Sequence, residues 1–296
     1  MAGVKELKAR INGIQETRKI TNAMYLVAST KLRHAREALE KTRPYFDALQ
    51  REVVRAFRAD ESQESRYFFG VDGSLPPVGV CGVLVVTADK GLAGSDNMNV
   101  IRRAEAILAE RPGARLFVVG EYGRRYFRSR RIPVEAGFDF TAQDPTLERA
   151  RVICTLLLDL YDAEALNELT VVYTDLKSSL SATAVEHRLL PLSRPTKTIE
   201  AEESHLEYIP SAEAVLSSAM RSYISGFIYS AMVDSFCSEQ NARVSAMDSA
   251  GRNADELLAD LSLQLNRERQ SAITQEITEV SAGAKAQKGR SQPRSL

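Results

Sequence analysis

Residues 89–97, Asp-Lys-Gly-Leu-Ala-Gly-Ser-Asp-Asn, are the stretch of this chain best placed to do binding chemistry. They follow an apolar, β-branched run, Val80–Thr87, and precede helical spacing from Asn99. A glycine-containing turn between a strand and a helix is where backbone N–H groups cradle a phosphate or dinucleotide. The spacing here is neither G-x-G-x-x-G nor G-x-x-x-x-G-K-[ST], and Asp89 and Asp96 would repel a phosphate. A structural turn or a partner-contact surface fits the residues better. No Ser/His/Asp, Cys/His or paired-carboxylate set occurs at a spacing that catalysis requires. The three histidines, His34, His187 and His205, are scattered, and none has a His or Cys four residues on. The three cysteines, Cys81, Cys154 and Cys237, are odd in number and form no C-x-x-C. That pattern suits a reducing compartment and argues against a disulfide framework or structural zinc. No cofactor and no metal are expected.

The elements around that loop alternate. Val80–Thr87 reads as a buried strand and Asn99–Glu110 as a helix. Arg115–Val119 reads as a second strand, Glu121–Arg130 as a helix and Ile132–Val134 as a short third strand. Leu147–Asp162 is an apolar-rich helix with Asp144-Pro145 at its start. Leu169–Asp175 is another strand, and Thr183–Pro191 and Glu207–Ile209 are expected to add edge strands. Such alternation implies a mostly parallel sheet with helices on both faces. Residues 59–79, with Gly70, Gly73, Pro76 and Pro77, read as a connection.

The ends of the chain differ from its middle. Residues 1–58 hold one proline (Pro44) and two glycines; residues 211–282 hold no proline and two glycines, Gly226 and Gly251. A helix of about 70 residues runs roughly 105 Å, far more than a domain of this size can bury. Such a helix needs apolar cover from a partner. Val4, Leu7, Ile11, Ile14, Arg18, Thr21, Tyr25, Ala28, Leu32, Ala35 and Leu39 recur at alternating spacings of three and four, the pattern of a coiled-coil seam. A second seam runs through Met247, Gly251, Ala254, Leu258, Leu261 and Leu265 and resumes out of phase at Ile273, Ile277 and Val280, which predicts a local change of supercoil. Arg18 and Thr21 interrupt the first seam, and small residues thin both.

Composition sets the outer limits. The chain has 296 residues, 44% apolar and 26% charged, with a formal net charge of zero. No global field steers it toward nucleic acid. The charge is uneven, however: Lys5 to Arg43 holds ten Lys/Arg against four Glu, a basic face able to meet an acidic partner. The longest apolar run, Val78–Ala88, has 11 residues, too short to span a bilayer. The N-terminus starts in helix pattern without a secretory apolar region.

Several ordered motifs carry a resemblance. Ile273-Thr274-Gln275-Glu276-Ile277-Thr278-Glu279-Val280-Ser281-Ala282-Gly283-Ala284 fits I-T-x-E-x-x-[DE]-x-x-x-G-A. Leu265-Asn266-Arg267-Glu268-Arg269-Gln270 is close to Y-N-x-x-R-Q. Ser238-Glu239-Gln240-Asn241-Ala242-Arg243 and Ala246-Met247-Asp248 match S-E-x-x-A-R and A-M-[DK]. Thr17-Arg18-Lys19-Ile20-Thr21-Asn22-Ala23-Met24 resembles T-x-K-I-T-x-A-M. The loop at 89–97 resembles D-R-G-L-C-G-x-x-N, with Leu189-Leu190-Pro191-Leu192 and Tyr208-Ile209-Pro210-Ser211 as further landmarks. In order and from end to end, these are similar to the gamma-subunit family of F-type ATP synthases. The departures are Ala93 for the usual Cys, Asp96 where an aromatic is common, and Leu265 for the usual Tyr.

The resemblance implies an α/β fold in which long N- and C-terminal helices form an antiparallel coiled coil beside a central Rossmann-like α/β domain. The implied boundaries are 1–58 and 207–286 for the two shaft helices, 59–79 for the connection, 80–206 for the α/β domain and 287–296 for a disordered basic tail. It implies a non-catalytic rotor subunit, one copy per complex, that couples ion flow to ATP synthesis or hydrolysis. Its partners would be the alpha and beta subunits of a hexamer, an epsilon subunit and the c-ring. Its place would be the cytoplasmic face of a bacterial plasma membrane. Lys19, Ile20, Thr21 and Met24 would lie near an acidic loop of beta, and Arg243, Arg269, Gln270 and Thr274 would make polar contacts with beta. A nucleotide-binding α/β enzyme with helical dimerisation arms is the competing reading, and a stand-alone coiled-coil scaffold is a third.

Overall fold

The computed structural model describes residues 2–59, 67, 79–178, 181–192 and 211–290. The chain divides into two compact units, Met1–Val27 with Ser245–Leu296, and Ala28–Val244. Two helices, α1 (Ala2–Ala59) and α5 (Ala212–Arg290), contribute to both.

Within Ala28–Val244 lies a four-stranded sheet in the order β2-β1-β3-β4. The strands are β1 (Cys81–Val86), β2 (Arg115–Val119), β3 (Glu168–Ser178) and β4 (Ser181–Leu190). β2 and β3 pair parallel to β1, and β4 pairs antiparallel to β3. Helices α2 (Asp96–Glu110), α3 (Glu121–Ser129) and α4 (Leu147–Asp162) complete the alternation. The apolar run of β1 is buried throughout because both faces are covered. Successive side chains point to opposite faces. Leu84 and Val86 join Ile153 and Leu157 of α4 and Met220, Ile224 and Ile228 of α5 in one core. Val83 and Val85 join Val100, Ile101 and Ala104 of α2 and Phe127 of α3 in the other.

Two glycines are fixed by close approach. Gly120, at φ 96°, precedes α3 where a Cβ would overlap Thr87 O. Gly226 lets α5 lie against the Phe46 ring of α1, which a Cβ would overlap.

The expected strand Ile132–Val134 does not form. Pro133 offers no N–H to a ladder. Ile132 N donates back to Phe127 O at 3.0 Å and Glu135 N donates to Leu116 O at 2.8 Å, while Ile132 and Val134 fill the α2 side of the core. α5 runs to Arg290, past the expected end at residue 286. The expected strand Glu207–Ile209, most of the 59–79 connection and residues 291–296 lie outside the described residues.

In the unit formed by Met1–Val27 and Ser245–Leu296, the helix segments run antiparallel. Gln15 to Tyr25 share a cleft with Met247 to Leu258, and Gly3 to Arg10 share another with Gln264 to Glu268. The seam positions are the covered ones: Thr21, Met247, Ala254 and Leu261 are buried, and Val4, Leu7, Ile11, Ile14, Leu258 and Leu265 are half-buried. The resumed seam at Ile273, Ile277 and Val280 is left uncovered by the described residues; these side chains are 46%, 63% and 73% exposed. The half-covered position is Ala272, in heptad phase with Leu265. α1 starts at Ala2, and its first turns already face Gln264–Glu268, so the later turns of α5 have no described α1 residues opposite them.

Candidate interaction surface

The loop at the carboxyl end of β1 occupies the crevice where open α/β sheets bind ligands, because β2 and β3 flank β1 on opposite sides. Here the chain fills that crevice itself. The Asp89 carboxylate accepts Glu121 N at 2.9 Å, Ala142 N at 3.0 Å and Gln143 N at 3.1 Å, and the Thr141 hydroxyl donates to it as well. It is thus the anion at the N-terminus of α3, the position a phosphate would take. Asn97 Oδ1 accepts Ala88 N at 2.8 Å. Arg243 of α5 donates to Gly91 O at 3.0 Å. These bonds make residues 89–97 a structural turn. Among the described residues, no group of three or more His, Cys, Asp or Glu is placed to hold a metal ion.

The residues singled out by sequence fall into separate settings. Lys19 is exposed and donates to Glu16 at 2.8 Å. Ile20 is 60% exposed, and Met24 is half-buried. Thr21 is buried in the helix pair, its hydroxyl donating to Arg18 O at 2.9 Å. Lys19 and Thr21 share a cleft with Asp248, Gly251 and Asp255 of α5. Arg269, Gln270 and Thr274 are all exposed, and Thr274 Oγ1 donates to Gln270 O at 2.9 Å. Arg243 stands apart. It is buried, and its donors are engaged within the chain, on Gly91 O and on Glu239 Oε1 at 2.6 Å.

Sequence reasoning passed over Asp255, which pairs with Arg18, and Glu239, which pairs with Arg243. The second has a local signal, since Glu239 and Arg243 are four residues apart on one helix face; the first has none, since Asp255 lies 237 positions from Arg18.

The ligand crevice of the α/β unit is closed by its own side chains, and in the other unit the helix segments pair with each other. The chain belongs to the ATP synthase gamma chain family. A family model described as ATP synthase matches residues 3–287. The chain is 38% identical over 297 residues to an ATP synthase gamma chain of Acetivibrio thermocellus, covering 97% of this chain and 100% of that one. It is 39% identical over 291 residues to that of Ruminiclostridium cellulolyticum, covering 96% and 98%. A gamma chain of Acetobacterium woodii described as sodium ion specific is 34% identical, covering 96% and 98%. The fold is shared with a chain of the Euglena gracilis mitochondrial ATP synthase at TM-score 0.69 and 16% identity, covering 100% of this chain and 99% of that one.

Proposed function

We propose that this chain is the central-stalk rotor subunit of an F-type ATP synthase. The observation that carries the reading is an end-to-end family match on a chain whose terminal helices pair antiparallel. The paired helices act as an asymmetric coiled-coil shaft inside a hexamer of alpha and beta subunits. Ion flow through a c-ring turns the shaft, with an epsilon subunit beside it. An asymmetric shaft touches three beta subunits differently at any moment, so each site is biased toward a different nucleotide affinity by differential contact.

In this reading the chain is non-catalytic, binds no nucleic acid and is present once per complex. It sits peripherally at the cytoplasmic face of a bacterial plasma membrane. Lys19, Ile20, Met24, Arg269, Gln270 and Thr274 offer exposed or half-exposed side chains to beta. Thr21 and Arg243 are buried, so contact there requires a partner to take over acceptors now supplied internally.

The test is affinity purification of the tagged chain from its native membranes, with subunit stoichiometry by mass spectrometry. One copy per three alpha and three beta subunits, with ATP hydrolysis that drives ion pumping, is the expected result. A stable homo-oligomer without these partners would overturn the reading.

A further inference from the structure

Arginines crowd the end of α3 and the residues just beyond it: Arg124-Arg125-Tyr126-Phe127-Arg128-Ser129-Arg130-Arg131, with no lysine among them. Arg124 is buried and engaged inside the chain, on Glu121, Val118 O and Phe140 O. Arg125, Arg128, Arg130 and Arg131 are exposed. Arg125 pairs with Glu121 at 2.8 Å, yet 79% of its side chain stays exposed. Arg128 has Asp139 at 3.8 Å, itself 67% exposed, a contact worth little in water. Arg130 lies over the Tyr126 ring at 5.3 Å. Among the described residues no carboxylate pairs with Arg130 or Arg131. Cations near a helix C-terminus complement its dipole, which accounts for some of this charge but not for Arg131. Arg131 stands at φ 59°. Its N–H bonds Arg128 O and the next, Ile132 N, bonds Phe127 O, each at 3.0 Å. This is a Schellman ending, whose left-handed residue is usually glycine. An arginine there carries a backbone cost that its side chain does not recover within the described residues.

The sheet places this cluster at one corner of the α/β unit. α3 starts beside the loop at the carboxyl end of β1, where Tyr122 N donates to Ala88 O. It finishes at the other end of the strands, where Glu135 N donates to Leu116 O and Arg115 holds Glu135. It packs on β2, an edge strand, while α4 and α5 lie on the opposite face. α5 runs past the sheet from Arg221, paired with Asp162 at the end of α4, to Arg243, bonded to Gly91 beyond β1. The arginines are therefore set apart from α5, at the end of the sheet where α5 arrives rather than where it leaves. Asp159 and Glu164, exposed acids at that same end, lie with α4. We propose that Arg125, Arg128, Arg130 and Arg131 dock on the phosphate headgroups of an anionic lipid membrane. The proposal rests on the rotor reading: α5 leaves the α/β unit toward the hexamer, so the end that carries the arginines faces the c-ring and the membrane. A corner set off from α5 overhangs the ring and meets lipid. Guanidinium forks bind two phosphate oxygens at once, which an ammonium does not. Each arginine near an anionic surface adds attraction, and a fluid lipid surface holds the corner without stopping rotation. An acidic segment of a neighbouring protein is the competing occupant.

The test sediments the full chain with vesicles of phosphatidylcholine alone and of phosphatidylcholine mixed with phosphatidylglycerol. The wild type should bind the mixed vesicles, ignore the neutral ones and be released by high salt. Arg128→Gln with Arg130→Gln and Arg131→Gln should weaken binding on the order of a hundredfold, and Arg128→Gln or Arg130→Gln alone about fivefold. Lys5→Gln with Lys8→Gln and Arg10→Gln removes the same charge from exposed positions of the other unit and should cost far less. All the substituted side chains are exposed, so the variants should unfold at the wild-type midpoint. Wild-type binding kept by the α3 triple variant, or an equal loss in the α1 triple variant, would overturn the proposal. So would a complex of the α3 triple variant that purifies with a subunit missing, since the patch would then belong to a protein partner. Subunit stoichiometry of the tagged wild type tests the rotor reading separately. Normal assembly with vesicle binding blind to the arginines sinks this proposal alone; arginine-dependent binding by a chain that never assembles sinks the rotor reading.

Discussion

Arg18 of α1 reaches Asp255 of α5, its Nη2 lying 3.2 Å from Oδ2, and this pair ties the antiparallel helices where the apolar seam is interrupted. Both side chains are about half exposed, at 54% and 52%. An exposed pair of this kind contributes about 0.2–1 kcal/mol, and salt screens it. Leu261, buried at 4%, is a different case. Leu261→Ala should cost about 2–4 kcal/mol through lost burial and a residual cavity. A double-mutant cycle on Arg18→Ala and Asp255→Ala, followed by local hydrogen exchange of the helix pair, should give a coupling below about 1 kcal/mol that vanishes in high salt. A coupling larger than the Leu261→Ala effect would mean that the helices are held by charge rather than by the seam.

Two glycines on α5 should respond to alanine with opposite sign. At either position alanine gains about 1 kcal/mol of helix propensity. Gly251 has nothing within 4 Å of where a Cβ would stand, so Gly251→Ala should raise the thermal midpoint of the free chain. At Gly226 the Cβ would overlap the Phe46 ring, and overpacking costs about 1–3 kcal/mol. Gly226→Ala should therefore lower the midpoint, and Phe46→Leu in the same chain should recover part of the loss. Equal shifts in the same direction would show that the α1–α5 approach at Phe46 is slack.

His187 of β4 stacks on Phe227 at 4.6 Å. Burial, with a smaller push from Arg188, lowers its pKa from the ordinary 6.5. The unfolded chain therefore takes up a proton near pH 6.5 while the folded chain resists until lower pH. The stability held by the neutral imidazole is full above pH 6.5 and drains as pH falls toward the depressed folded value. The urea midpoint of the wild type should drop between pH 7 and pH 5 more steeply than that of His187→Gln. Parallel profiles would remove His187 as a contributor.

The three thiols should be nearly inert in the native chain. Cys81, Cys154 and Cys237 are free and buried. Burial is the main cause that pushes Cys81 up to about 11 and Cys154 and Cys237 up to about 12. The thiolate is the reactive form. A disulfide reagent at pH 7.5 should label almost none of them before denaturant is added and three afterwards. Rapid labelling of Cys237 in the native chain would show that α5 opens locally.

The middle of the chain was legible because its signals are local. Leu147–Asp162 has a side-chain cap at Thr146, which accepts Arg149 N at 3.2 Å, and a continuous buried stripe. The α1 positions covered in the helix pair were legible from the spacing of Val4 to Thr21, because a seam is a periodic property. Ile132–Val134 misled because apolar β-branched residues resemble a strand even where Pro133 withholds a donor. Ile273, Ile277 and Val280 misled for another reason. Their spacing signals an apolar face, and spacing alone does not say whether its cover comes from this chain. The internal role of Arg243 was illegible because its acceptor, Gly91 O, is a backbone atom 152 positions away in sequence, brought near only by the sheet.

Coupling should be concentrated in the exposed turns that follow the helix pair. Arg269 offers a guanidinium able to bind two acceptors at once, and Gln270 offers both a donor and an acceptor. Thr274 lies four residues beyond Gln270 on the same face, and its hydroxyl already closes on Gln270 O, so the turn is ordered before any partner arrives. Ile277 and Val280 leave an apolar surface further along the same helix. Polar side chains above an apolar end can trade contacts with successive partner conformations without fixing the shaft in one of them. Each charge-assisted contact is worth about 1.5–3 kcal/mol if the partner excludes water and well under 1 if it does not. The double variant Arg269→Ala with Gln270→Ala should therefore leave assembly intact and lower ATP turnover and ATP-driven ion pumping together, by about tenfold or more if the contacts are dry. The measurements are subunit stoichiometry of the purified mutant complex, its ATP hydrolysis rate and its pumping rate. Wild-type values for both rates in fully assembled complexes would move the coupling contacts elsewhere on the shaft.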